Sequence, residues 1–223
     1  MSAVLDRPKI ESKSQTPRVE KPEVVEKVVL RNISWKTYET LLQEQAEKSS
    51  VRFSYNNGEL EIMVESYKHG NYSRYLEYII LELADIFEID FVPAGSATFK
   101  KEEKSKGFES DGSFYIKNAE KVRGKEKIDL SKDPPPDLVI EVDITHESLS
   151  KFPIYAGLGV EEIWRFDGKE VKFHRLEYQK YKDINESVCF KGVSSKTVTE
   201  LFFASQEMKR IDWIKLIHET IKE

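Results

Sequence analysis

The chain has 223 residues, of which 39% are hydrophobic and 34% charged, with a formal net charge of −5. That length suits one sizeable domain with tails, and the acidic balance argues against a general basic coat for nucleic acid. The single cysteine, Cys189, excludes an intrachain disulfide and fits a reducing cytoplasm, and no uncharged apolar run is long enough to cross a membrane.

Residues 1–26 are polar, charged and dotted with proline, with too little apolar surface to offset ordering entropy. A disordered tail is expected there, followed by one domain over 27–223. "ISWKTYETLLQEQAEKSS" predicts a short helix with Ser34 as its N-cap. "VRFSYNNGELEIMV" predicts two strands around a turn at Asn56-Asn57-Gly58. In "NYSRYLEYIILELADIFEI", Tyr72, Tyr75, Leu76, Ile79, Ile80, Leu83 and Phe87 recur at helical spacing and predict the strongest helix.

Strands follow in "IDFVPAGSATFK", "SDGSFYI" and "DLVIEVDI". Between residues 100 and 132, ten Lys and Arg stand against seven Asp and Glu, so this segment is locally basic. A short helix is expected from Ser148 to about Gly157, then a hairpin turned at Asp167-Gly168. "KDINESVCF" adds a further candidate strand, with Cys189 as a small core residue, and Trp164 in "EEIWRF" reads as core. One or two amphipathic helices close the chain, where Trp213 forms either a dimer face or a cover for the sheet. This order of elements is α+β rather than a regular alternation.

The stretch "PPPDLVIEVDITHESLSK" carries the chemistry. As a strand it points Leu138, Ile140, Val142 and Ile144 one way and Asp137, Val139, Glu141 and Asp143 the other. Glu141 and Asp143 are close enough to converge on one cation. Asp137 stands roughly 13 Å from Glu141 by strand rise, which makes it a solvated turn residue rather than a ligand. Asp111 projects from the start of "SDGSFYI" and faces Glu141 if the two strands are neighbours. Clustered carboxylates repel and raise each other's pKa; a hard divalent cation relieves that, and oxygen ligands select magnesium or manganese. On spacing alone, acids on a strand face are more often solvated than catalytic.

Taken together, "SDGSFYI", "PPPDLVIEVDIT", "ESLSKFPIYAGLGV" and "EEIWRFDGK" resemble the Uma-two family of restriction-endonuclease-like proteins, within the PD-(D/E)XK nuclease superfamily. The resemblance runs from about residue 34 to 180. It implies a mixed β-sheet flanked by helices with an αβββαβ core. It places Asp111 at the aspartate of the proline-aspartate motif, with Ser110 in place of the proline, and Glu141 at the acid of the D/E-X-K motif. Asp143 occupies the superfamily lysine position, and Lys151 matches the lysine that the family supplies from the following helix. A histidine is common in the family near His69.

The expected activity is that of a magnesium- or manganese-dependent endonuclease acting on DNA. Asp111, Glu141 and the Val142 carbonyl, with Asp143, would hold the metal, and Lys151 would orient water or offset developing charge. His69, Lys100 and Lys101 are candidate phosphate contacts; helix entry and edge-strand protection are their bland readings. Glu109 reads as a surface acid or a peripheral ligand. Gly95 and its small neighbours in "AGSATFKK" permit close backbone approach, at a DNA groove or in a packed strand. The competing reading is a non-catalytic nucleic-acid or protein-binding module on the same fold.

Overall fold

The computed structural model describes residues 27–45, 51–144 and 150–222. The expected disordered tail, 1–26, and the expected helix cap Ser148 lie outside them. In chain order, the first half contains β1 (Lys27–Leu30), α1 (Trp35–Gln45), β2 (Val51–Asn56), β3 (Glu59–Val64), α2 (Tyr67–Ile86), β4 (Val92–Pro93), β5 (Thr98–Lys101), β6 (Lys106–Glu109) and β7 (Gly112–Tyr115). The second half contains α3 (Ala119–Val122), β8 (Leu138–Val142), α4 (Phe152–Leu158), β9 (Glu162–Phe166), β10 (Val171–Glu177), β11 (Lys180–Ile184), α5 (Ser195–Glu207) and α6 (Arg210–Lys222).

The architecture is α+β. Its six-stranded sheet, ordered β11-β10-β9-β8-β7-β4, is mixed because β8 and β9 run parallel. Their connection passes through α4, as a parallel pair requires. A second sheet, β1-β3-β2-β6-β5, is antiparallel throughout and was not legible in the sequence. The turn between β2 and β3 has positive φ at both Asn57 (50°) and Gly58 (93°), the conformation a two-residue hairpin favours. Ser34 caps α1 by accepting the Thr37 N–H at 3.1 Å.

The mixed sheet is covered on both faces. Leu138, Ile140 and Val142 of β8 join Leu76, Ile79, Ile80 and Leu83 of α2 in the larger core, with Phe202 of α5 and Trp213 of α6. Val139 points the other way, into a second core with Phe99, Phe108, Tyr115, Ile154 and Tyr155. That core lies between the two sheets and α4. All five residues of β8 are therefore buried, and polar groups on it must find partners inside the protein. Trp164 is fully buried. Trp213 packs edge-on against Tyr75 and donates its indole N–H to the Leu201 carbonyl at 2.7 Å, so it covers α2.

"KDINESVCF" is a strand only to Ile184. Beyond it, side chains satisfy the backbone in place of a neighbouring strand: Ser187 Oγ accepts from Cys189 and Phe190, and Glu162 accepts from Val188 and Cys189. Among the described residues no helix is long and apolar enough to cross a membrane.

Candidate functional site

Strand register sets the centre of the site. Gly112 of β7 pairs with Ile140 of β8, so Asp111, one residue earlier, meets the end of β8 at Glu141 and Val142. The Asp111 N–H donates to the Ile140 carbonyl at 3.2 Å, and the Val142 N–H donates to Asp111 Oδ2 at 2.7 Å. Glu141 points from β8 toward α4. There Lys151, just before the first turn, places Nζ 2.7 Å from Glu141 Oε2. Tyr155, one turn further along, donates its hydroxyl to Glu141 Oε1. A residue four positions on lies on the same helical face, so one helix end supplies both groups.

The start of α2 supplies the other side. Ser66 caps the helix by accepting the His69 N–H at 3.2 Å. That fixes His69 in the first turn, where it is buried with Nε2 2.9 Å from Asp111 Oδ2. Glu65, just before the cap, is paired with Arg52 at 3.0 Å. Glu65, His69 and Asp111 each offer one ligand atom within 4.8 Å of the others. Glu65 and Asp111 border an open cleft of about 530 Å³, whose walls include Arg52, Tyr67, Arg74 and Gly95.

Burial opposes charge throughout this centre, and the contacts answer it unequally. Burial works against the Asp111 carboxylate, yet His69, Lys151 and the Val142 N–H together hold its pKa below the usual value. Burial pushes the Glu141 carboxyl up to about 7, against the pull of Lys151. Burial also disfavours the Lys151 ammonium, but Glu141 and Asp111 more than offset it and raise its pKa. His69 is likewise raised, its contact with Asp111 outweighing desolvation. The carboxylates thus have basic partners in His69, Arg52 and Lys151, although Asp111 still raises the Glu141 carboxyl. Two buried atoms of this centre lack a hydrogen-bond partner among the described residues: Asp111 Oδ1, and His69 Nε2 despite its 2.9 Å approach to Asp111 Oδ2.

Asp111, Glu141, Lys151 and His69 are thus brought together. Val142 contributes its N–H to Asp111. Asp143 lies one residue beyond the end of β8, with Oδ2 2.6 Å from Arg165 and Oδ1 3.8 Å from Lys27. Lys100 and Lys101 are on β5 of the antiparallel sheet, where Lys100 pairs with Glu39 above the Trp35 ring and Lys101 lies 4.0 Å from Glu103. Glu109 is no surface acid: it is partly buried and accepts from the Phe53 N–H and the Thr98 hydroxyl, tying β2 to β5.

Asp137 is also corrected. It is 4% exposed rather than solvated. It accepts from the N–H groups of Ile116 and Asn118 and from the Asn118 amide, at 2.7, 3.0 and 2.6 Å. It shapes the turn after β7. Glu65, Arg52 and Tyr155 escaped the sequence reading. The usable signals were an acid and a histidine four apart across a helix start, and a tyrosine four after the lysine.

A family model described as "Putative restriction endonuclease" matches residues 35–201. A crystal structure from Anabaena variabilis ATCC 29413, described as a "putative nuclease belonging to DUF820", is similar at 14% sequence identity and a TM-score of 0.47, covering 67% of this chain and 90% of that one. No curated protein matches the sequence. With the family model extending from α1 to α5 and taking in His69, Asp111, Glu141 and Lys151, the chain belongs to the Uma2 (Uma-two) family.

Proposed function

We propose that the protein is a divalent-metal-dependent nuclease that hydrolyses phosphodiester bonds in DNA. The observation that carries this reading is the orphaned buried oxygen of Asp111 beside two further ligand atoms, from Glu65 and His69. A buried carboxylate oxygen without a donor is costly, and a cation in contact with it removes that cost. Two carboxylates and an imidazole suit manganese better than magnesium, because imidazole is a borderline ligand while magnesium keeps to oxygen.

A bound divalent cation would supply Lewis acidity to the phosphoryl group and acidify a water. Asp111, fixed by the Val142 N–H, and His69, fixed by the Ser66 cap, present their ligand atoms from rigid elements. Glu65 would exchange its pairing with Arg52 for the cation, leaving the guanidinium beside the cleft for a phosphate oxygen. Glu141, with its carboxyl near 7, would accept a proton from the attacking water at neutral pH. Lys151 would offset charge on the phosphoryl oxygens as bonds change.

A specific observation favours the rival binding-module reading: Glu141 is fully engaged by Lys151 and Tyr155 without any cation. Calorimetric titration with manganese, alongside cleavage of plasmid DNA, separates the two. The nuclease reading expects binding and cleavage in the parent and neither in Asp111→Asn. A parent that binds no divalent cation and cuts no DNA leaves the binding module.

A further inference from the structure

We infer that the cleft beside Asp111 takes a single DNA strand, with one base stacked on Tyr67, rather than an intact duplex. This rests on the nuclease reading of the same site and adds the class of substrate.

The polar centre is recessed: Asp111 and Glu141 are each 5% exposed. A phosphate on a stacked duplex reaches such depth less readily than one on a strand free to bend. A flexible single strand can thread inward. The cleft, at about 530 Å³, has the scale of a small-ligand pocket and not of a duplex groove.

One wall of the cleft is the outer face of α2. Tyr67, Asn71 and Arg74 recur along it at the four- and three-residue steps of one helical face, and all three line the cleft. Tyr67 is 88% exposed. Its ring stands in water at the mouth, where it can offer a π-face to a nucleobase. Such platforms are characteristic of single-strand binding and tolerate any base. Among the described residues Arg74 pairs with Glu77, one turn along its own helix; the Glu77 side chain is 13% exposed, but that of Arg74 is 67% exposed. The guanidinium end of the pair therefore stands at the cleft, within reach of a phosphate.

The opposite wall is low. Gly95 and Ser96 form a turn closed by the Ala97 N–H on the Ala94 carbonyl at 3.1 Å. Gly95 has φ of 55°, and a Cβ there would meet nothing within 4 Å. The glycine is required by the left-handed backbone, and the space above it is open to a sugar or base.

Charge points the same way. Phosphate neutralisation drives duplex binding more steeply than single-strand binding, and this chain carries −5. Three cations of its locally basic segment pair with acids outside that segment: Lys117 with Glu161, Lys125 with Asp133 and Arg123 with Asp90. Stacking, which needs no net charge, can supply the affinity instead.

The test is fluorescence anisotropy of a labelled oligothymidylate and of a duplex of equal length, both in calcium, with manganese-dependent cleavage of the same two substrates. We expect the single strand to bind at least tenfold more tightly and to be cut preferentially. Tyr67→Ala should weaken single-strand binding by roughly 5- to 150-fold, the 1–3 kcal/mol of one stacked base. Tyr67→Trp should restore it, which a merely structural role would not. Equal affinity for strand and duplex, or no effect of Tyr67→Ala, overturns the inference. Duplex cut without preference leaves the nuclease reading standing and removes this one. Tyr67-dependent strand binding without cleavage under any divalent metal does the reverse.

Discussion

Replacing Lys151 by methionine keeps the aliphatic stem and removes the ammonium. The side chains of Lys151 and Glu141 are 11% and 7% exposed, so water cannot take over the lost 2.7 Å contact. Removing one partner of a buried pair costs about 3–5 kcal/mol, or roughly 6–20 °C in Tm for a chain of this size. The cost varies with pH, and Glu141 fixes its sign. Burial already raises that carboxyl to about 7 against the opposing ammonium; without the ammonium it rises further. A raised carboxyl keeps a proton in the folded chain that the unfolded chain has released, so stability falls as pH climbs from the unfolded value through the folded one. Each pH unit of that window is worth about 1.4 kcal/mol. On acidification from pH 8 to pH 6, both recover stability, and the variant, whose carboxyl sits higher, recovers more. The penalty should therefore be smaller at pH 6 than at pH 8, by about 1 kcal/mol. Urea unfolding of the metal-free protein at both pH values, followed by tryptophan fluorescence, measures it. A penalty below about 1 kcal/mol at pH 8, under the range for a broken buried pair, or one that grows on acidification, would refute the buried pairing.

Tyr155→Phe removes the hydroxyl that donates to Glu141 while keeping the ring. The Glu141 carboxyl should titrate higher than its present value of about 7, read by carbon-detected NMR of the metal-free protein; an unchanged midpoint would show that the hydroxyl points elsewhere. Asp137→Ala deletes three accepted hydrogen bonds and should cost about 2–4 kcal/mol by urea unfolding. Its manganese affinity should stay within about twofold, since Asp137 is committed to Ile116 and Asn118 and is not among the Glu65, His69 and Asp111 ligand atoms. Gly107→Ala would drive a methyl group into the hydroxyl of fully buried Tyr38, an overpacking expected to cost about 1–3 kcal/mol; a thermal melt matching the parent would show that α1 can shift away from β6 there.

What could be read in advance followed the range of the rule used. The α2 helix was legible because Leu76, Ile79, Ile80 and Leu83 repeat with the helical period and face one core. The hairpin at Asn57-Gly58 was legible because turn chemistry is local. Alternation along β8 separated Val139 from Leu138 and Ile140, but it says which face a side chain takes and not how deeply that face is covered. Hence Asp137 looked solvated. Its depth comes from the turn after β7, where the Ile116 and Asn118 N–H groups and the Asn118 amide close over it from 21 and 19 residues earlier in the chain. Alternation also stops where the strand stops. Asp143, one residue past β8, is held by Arg165 and Lys27 rather than by the centre. Lys27 belongs to β1, a four-residue strand whose pattern was too short to register. Glu65 sits in neither strand nor helix, so no periodicity marks it; only the Ser66 cap reveals its position.

The polar centre draws on stretches far apart in the chain: Glu65 and His69, then Asp111, then Glu141, then Lys151 with Tyr155. No short peptide carries it. A ribosome must release α4 before the groups can meet, and a protease fragment ending earlier is chemically incomplete. Between Asp111 and Glu141 runs an exposed stretch, 123–127. A break there leaves Glu65, His69 and Asp111 on one piece and Glu141, Lys151 and Tyr155 on the other. Whatever reaction the cleft performs would then report whether the two pieces had found each other.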